Sequence, residues 1–231
     1  MAVIEIINER PKFQDPARLL NSVLAPLEKR CLIWLAHRMP RRVNSDHLTA
    51  LALVAMLAAG LSYWLARVSA VGLILVIVCL AVNWFGDSLD GTLARVRQHQ
   101  RPRYGFYVDH VVDAFGAAFL LGGLALSGYM HPYVALSLLS VYLMLCVEVF
   151  LATHCLGTFK MSFMKVGPTE LRILLAVGNV ALFFRPNVTL FGHAFRMFDI
   201  GGVIGAVGLL ITLVISAVRN ARALYEAEPI H

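Results

Sequence analysis

The stretch 71-VGLILVIVCLAVNWFGDSLDGTLARVRQHQRPRYGFYVDHVVD-113 passes from an apolar run, Val71 to Gly86, straight into four aspartates and four arginines between Asp87 and Asp113. An apolar run of this kind reads as most of a membrane-crossing helix, which needs about 20 such residues. The acids therefore stand at a membrane edge, a costly place for them unless they have a task.

The whole chain supports that reading. Its 231 residues are 59% hydrophobic and 15% charged, against roughly 45–50% and 25% in ordinary soluble proteins. Six windows approach bilayer length: His47 to Ala66, Ala70 to Leu93, Gly105 to Tyr129, Pro132 to Leu156, Pro168 to Phe184 and Phe198 to Val218. The expected fold is an all-α integral membrane protein, with six transmembrane helices preceded by an N-terminal amphipathic interfacial helix. Its divisions are an interfacial segment at 1–46, a six-helix domain at 47–218 and a cytoplasmic tail at 219–231. Residues Met1 to Asp15 carry Glu5, Glu9, Arg10, Lys12 and Asp15 and no long apolar core, so no cleaved signal peptide is expected.

Six spans put both termini on one side. Of the 20 Lys and Arg residues, only Arg67, Arg185 and Arg196 fall on the opposite side. Lys/Arg-rich short loops stay cytoplasmic, so the termini and the Asp87 to Asp113 stretch are expected to face the cytoplasm. The compact chain fits a bacterial inner membrane. A net charge of +6 then reflects topology and attraction to anionic lipid, with no nucleic-acid partner expected. Cys31, Cys79, Cys146 and Cys155 are scattered, which suggests neither a disulfide nor a zinc site.

Ahead of the first span, Leu20, Val23, Leu24, Leu27, Cys31, Trp34 and Leu35 recur at helical spacing, while Arg18, Asn21, Glu28 and Lys29 lie elsewhere around the wheel. Such a helix either rests in the membrane interface or packs on protein. Pro26 is expected to kink it, and Pro40 with Arg41 and Arg42 to end it. Small residues four apart, Ala118 with Gly122 and Gly201 with Gly205, suit close helix contact or a homodimer.

Asp87 and Asp90 are three apart and Asp109 and Asp113 four apart, so each pair shares a helix face. Consecutive antiparallel helices let the two pairs face each other. One ionised Asp deep in a bilayer costs about 2.5–3.5 kcal/mol. Four without compensation would cost ~10–14 kcal/mol, comparable with a domain's whole stability of ~5–15 kcal/mol. Pairing with Arg95, Arg97, Arg101 and Arg103 is the structural explanation, but those arginines sit mainly in the loop. Clustered hard oxygens suit Mg²⁺, Mn²⁺ or Ca²⁺, and two such ions can serve displacement at phosphorus. A proton or cation pathway through a transporter is the alternative use of the same acids. Gly91 and Gly105 would let a phosphate or nucleotide approach the backbone, and Arg95 would offer it a permanent cation.

The residues Asp87, Asp90, Gly91, Ala94, Arg95, Gly105, Asp109 and Asp113 resemble the motif of the CDP-alcohol phosphotransferase family, D-x2-D-G-x2-A-R-x(7 or 8)-G-x3-D-x3-D. Here nine residues, Val96 to Tyr104, separate Arg95 from Gly105. The resemblance implies a phospholipid-biosynthesis enzyme that moves a substituted phosphate from a CDP-alcohol donor to the hydroxyl of an acceptor alcohol and releases CMP. It implies two divalent ions, Mg²⁺ or Mn²⁺, on Asp87, Asp90 and Asp109, with Asp113 near them as the base. Gly91, Ala94, Arg95 and Gly105 would bind the CDP part. One of the two alcohols would be a lipid.

His110 and the run "GPTE", Gly167 to Glu170, resemble the choline and ethanolamine phosphotransferase branch. The basic Lys160, Lys165 and Arg172 equally fit a branch in which CDP-diacylglycerol is the donor. His110, Lys165, Glu170 and Arg172 are accordingly the acceptor- or lipid-binding candidates. Glu148 and His154 are polar within an apolar span, and Glu148 either lines an acceptor cavity or bonds a neighbouring helix. Asn83 and Trp84 read as packing and interface anchoring.

Overall fold

A computed structural model describes residues 17–18, 24–156, 158–159, 167–190 and 192–228. Met1 to Asp15, Leu20, Val23, Lys160 and Lys165 lie outside the described residues. The elements in chain order are β1 (Ala17–Arg18), α1 (Ala25–Arg38), α2 (Ser45–Ala66), α3 (Val71–Val96), α4 (Pro102–Ser127), α5 (Pro132–Leu156), β2 (Thr158–Phe159), α6 (Pro168–Phe184), β3 (Asn187–Leu190), β4 (His193–Arg196) and α7 (Met197–Ala227). Helices α2, α3, α4, α5 and α7 are long and apolar enough to cross a membrane. α6 has 17 residues and extends about 26 Å, slightly less than a hydrocarbon core of ~30 Å.

Local chemistry sets the ends. Pro26 falls in the first turn of α1, where a missing amide hydrogen costs nothing, so it starts the helix and does not kink it. Pro102 starts α4 in the same way, three residues before the expected Gly105. α3 continues through the motif to Val96. It stops where Gln98 takes φ 58° and the His99 amide donates to the Ala94 carbonyl at 2.9 Å, a left-handed helix terminus. α7 runs on to Ala227, past the expected boundary at Val218. The α6–α7 connection contains an unexpected antiparallel hairpin, β3 with β4, and Gly192 takes φ 80° at its turn. β1 and β2 pair in parallel.

α2 is the common base, packing along both α3 and α4, whereas α3 and α4 make little contact with each other. α5 joins α4 to α7, and α6 and α1 each pack on α3. Close approach comes from glycine. A Cβ on Gly123 would stand 2.1 Å from the Gly60 carbonyl oxygen, and one on Gly86 would stand 2.6 Å from that of Leu48. Membrane helices gain little hydrophobic drive from each other, so such backbone contact contributes much of their association. The Ala118/Gly122 and Gly201/Gly205 pairs do not play this part within the chain. Gly122 and Gly201 have nothing within 4 Å of a built Cβ, and Gly205 meets only Leu138 at 3.5 Å.

Candidate active site

The site grows from the Gly86 contact, which presses α3 onto α2 one residue before Asp87. Asp90 is buried, at 5% exposure. Its Oδ2 accepts from Thr49 Oγ1 at 2.5 Å, its Oδ1 accepts from the Gly91 amide, and its carbonyl accepts from Ser45 Oγ at 2.8 Å. Asp87 is half-buried and ion-paired with Arg172, Nη2 to Oδ2 at 2.5 Å. Across the gap above α2, half-buried Asp109 and exposed Asp113 project from successive turns of α4.

All four carboxylates interact. Asp113 is repelled by Asp87, Asp109 and Asp90 and attracted by Arg172, and Asp90 is repelled by Asp109 and Asp87. Like charges gathered in this way are a set of hard oxygens that a divalent ion could hold together. Among the described residues no three Asp, Glu, His or Cys side chains form a ready-made cage. Asp87 is turned toward Arg172, and Asp90 toward Thr49 and its own helix. The donor chemistry fits divalent cations once those two side chains turn into the gap.

The flanks of the gap are open. A Cβ on Gly105 would meet nothing within 4 Å, and one on Gly91 only the Arg95 guanidinium at 3.6 and 3.9 Å. Arg95 Nη2 donates to Thr92 Oγ1 at 3.2 Å, and Ala94 is half-buried on the same turn. Two loop arginines are occupied elsewhere. Arg97 donates to the carbonyls of Val43 at 2.5 Å, Met39 at 3.0 Å and Pro40 at 2.9 Å, and Arg101 pairs with Asp46. Arg97 lashes the end of α3 to the α1–α2 linker, and Arg101 ties the α3–α4 loop to the first turn of α2. The cation that reaches Asp87 comes instead from α6.

Of the acceptor candidates, Arg172 enters the site. Asn83 Oδ1 accepts from its Nε at 2.7 Å, while its Nη1 is buried with no hydrogen-bond partner among the described residues. His110 Nδ1 lies 2.5 Å from the Phe106 carbonyl, and its ring stands between Phe106 and Phe150. Glu170 holds helix ends: its Oε2 accepts from the Gly167 amide at 3.0 Å and its Oε1 from the Leu24 amide at 3.2 Å. Glu148 bonds α7, accepting from Ser216 Oγ at 3.0 Å and Asn220 Nδ2 at 2.7 Å. His154 is exposed.

Several neighbours escape sequence reasoning. Ser45 and Thr49 of α2 brace Asp90. Asn83 does more than pack, since it bridges the Ala52 carbonyl, 3.1 Å from its Nδ2, to Arg172. Tyr142 and Cys146 of α5 interact with Asp113. Glu28 of α1 accepts from Trp84 Nε1, Ser88 Oγ and Thr169 Oγ1. The only sequence signal for these was polarity within apolar helices.

Comparison with known families supports the family resemblance. The family model described as CDP-alcohol phosphatidyltransferase matches residues 43–216, from just before α2 into α7. No individual curated protein matches the chain. That family carries out phospholipid head-group transfer in membranes. With the match covering well over half its length, the chain belongs to the CDP-alcohol phosphatidyltransferase family.

Proposed function

We propose that the protein transfers a substituted phosphate from a CDP-alcohol directly to the hydroxyl of a second alcohol, with Asp113 as the base. The observation that carries this reading is the gap over α2, where four mutually repelling aspartates meet beside two open glycines. Asp113 suits the base because it stands among the other three aspartates and makes no hydrogen bond among the described residues, which leaves its oxygens available to a hydroxyl. It takes the acceptor's proton as the acceptor oxygen bonds to the phosphorus bearing the donor alcohol. The bond from that phosphorus to CMP breaks in the same displacement, with no covalent enzyme intermediate.

Asp87, Asp90, Asp109 and Asp113 would hold two divalent ions, Mg²⁺ or Mn²⁺, which when bound supply neutralisation of the diphosphate and of the departing CMP. Gly91, Ala94 and Gly105 leave the backbone open to the CDP part, and Arg95 offers its guanidinium to a phosphate. Arg172 Nη1 remains as a donor for a further phosphate oxygen, which favours a polar, phosphate-bearing substrate.

We also propose that α6 is the sixth span and that the motif faces the cytoplasm. α1 would lie in the interface, with Leu27 and Trp34, 70% and 52% exposed, toward lipid. Gly122 and Gly201 are open to a second copy. Purified protein with Mg²⁺ or Mn²⁺ should release CMP from CDP-diacylglycerol, CDP-choline or CDP-ethanolamine offered with mixed acceptors. Silence with all three donors would refute the reading, and mass spectrometry of the lipid formed names both alcohols.

A further inference from the structure

Glu28 lies outside both the motif and the residues matched by the family model, yet it makes a three-donor polar junction beside the site. A single oxygen, Oε1, accepts from Trp84 Nε1 at 2.7 Å, Ser88 Oγ at 3.1 Å and Thr169 Oγ1 at 2.7 Å. Two of these donors belong to α3 and one to α6. No cation pairs with Glu28 among the described residues, so three neutral donors carry the carboxylate's hydrogen bonding. Hydrogen bonds to a charged acceptor are the strong kind.

The positions of the donors matter more than their number. Trp84 precedes Asp87 by three residues and Ser88 follows it directly, while Thr169 precedes Arg172 by three. Each side of the junction therefore stands within a helical turn of one member of the Asp87–Arg172 pair. α1 is fastened to the start of α6 a second time, through the Leu24 amide and Glu170. α6 is short and packs mainly on α3, so few other contacts fix its register there.

We propose that Glu28 is a positioning residue: by clamping α3 to α6 beside Asp87 and Arg172, it sets how firmly Arg172 holds Asp87. The consequence concerns the divalent ion, and so this inference rests on the transferase reading above. While Arg172 holds Asp87 it competes with an incoming ion for that carboxylate and repels the ion by its own charge. Loosening the clamp lets Arg172 withdraw and leaves Asp87 more available. Turnover falls all the same, because Arg172 is no longer placed for its phosphate. The sign is diagnostic, since loss of the Glu28 negative charge alone would weaken ion binding.

The test is Mn²⁺ affinity, read by electron paramagnetic resonance of free Mn²⁺, on full-length protein in lipid nanodiscs without substrate. Glu28→Ala and the charge-neutral Thr169→Val are each combined with native Arg172 and with Arg172→Gln. With Arg172 present, either substitution should tighten Mn²⁺ binding by about twofold or more, since coupled neighbours interact by at least ~0.5 kcal/mol. In the Arg172→Gln background neither should tighten it. An equal change in both backgrounds, or no tightening in the native one, overturns the inference and leaves the transferase reading intact. If none of the proteins takes up Mn²⁺, the transferase reading falls and this inference with it. Thr169→Val keeps the test decisive if Glu28→Ala does not fold.

Discussion

Arg172 Nη2 lies 2.5 Å from Asp87 Oδ2, tying α6 to the first aspartate of the motif across 85 positions of sequence. The two side chains are 15% and 29% exposed, between the surface pairs that contribute little and the buried pairs that are costly to break. Arg172→Gln should therefore destabilise the ion-free protein by about 1–3 kcal/mol. Added Mn²⁺ should restore much of that by giving Asp87 another cation. Thermal unfolding with and without the ion checks both parts, and an unchanged ion-free stability would show the pair to be inert.

Gly86 fixes the height at which α3 meets α2. A methyl group there would stand 2.6 Å from the Leu48 carbonyl oxygen and 3.0 Å from the Ala52 amide and Cβ. Backbone cannot yield as a flexible side chain can, so Gly86→Ala should cost about 1–3 kcal/mol and reduce activity by moving Asp87 and Asp90. Gly208, with nothing within 4 Å, is the control. Gly208→Ala should be neutral or gain up to ~1 kcal/mol of helix propensity. Denaturant or thermal unfolding of the two variants side by side decides it.

Five of the six expected spans and the spacing of the acids were legible because both are local. Hydropathy over about 20 residues marks a crossing helix, and spacings of three and four place Asp87 with Asp90 and Asp109 with Asp113. The partners of those acids were not legible. Arg172, Thr49 and Glu28 reach the motif from other helices, and nothing in a helix that is apolar all round says which face meets protein and which meets lipid. The nearby arginines were the natural counterions for the acids, yet Arg97 turns to the α1–α2 linker and Arg101 to Asp46 at the start of α2. Direct packing of α3 on α4 was a reasonable expectation for consecutive helices. Glycine contacts at Gly60, Gly86 and Gly123 instead seat both on α2 and leave the gap. Pro26 was legible as a punctuation mark, but its sense depended on where α1 begins.

Arg97 makes a prediction about the linker. Its guanidinium serves three carbonyls at once, which a lysine ammonium cannot do in the same planar geometry. Arg97→Lys should cost about 1–3 kcal/mol and expose the bonds after Arg41 and Arg42 to trypsin. Limited proteolysis that proceeds no faster than in the native protein would contradict that role.

Glu148 separates a structural acid from a transport acid. Its carboxylate accepts from Ser216 and Asn220 on α7, and a glutamine carbonyl can accept the same bonds. Glu148→Gln should keep CMP release within about twofold, while Glu148→Leu should lose roughly 1–3 kcal/mol by leaving Asn220 without its acceptor. Loss of activity in the glutamine variant would move Glu148 into the chemistry.

Asp113→Asn removes the base and keeps the shape. Turnover should fall by about 10²–10⁴-fold, the usual contribution of a general base, with CDP-alcohol still bound. Single-turnover CMP release at saturating donor measures this, and a fall of less than tenfold would remove Asp113 from that role.

The most direct measurement is calorimetric titration of Mn²⁺ into nanodisc-embedded protein loaded with a CDP-alcohol but given no acceptor. The four aspartates should take up about two ions per chain, and Asp90→Asn or Asp109→Asn should weaken that uptake sharply. No uptake by intact, donor-loaded protein would contradict the account at its base.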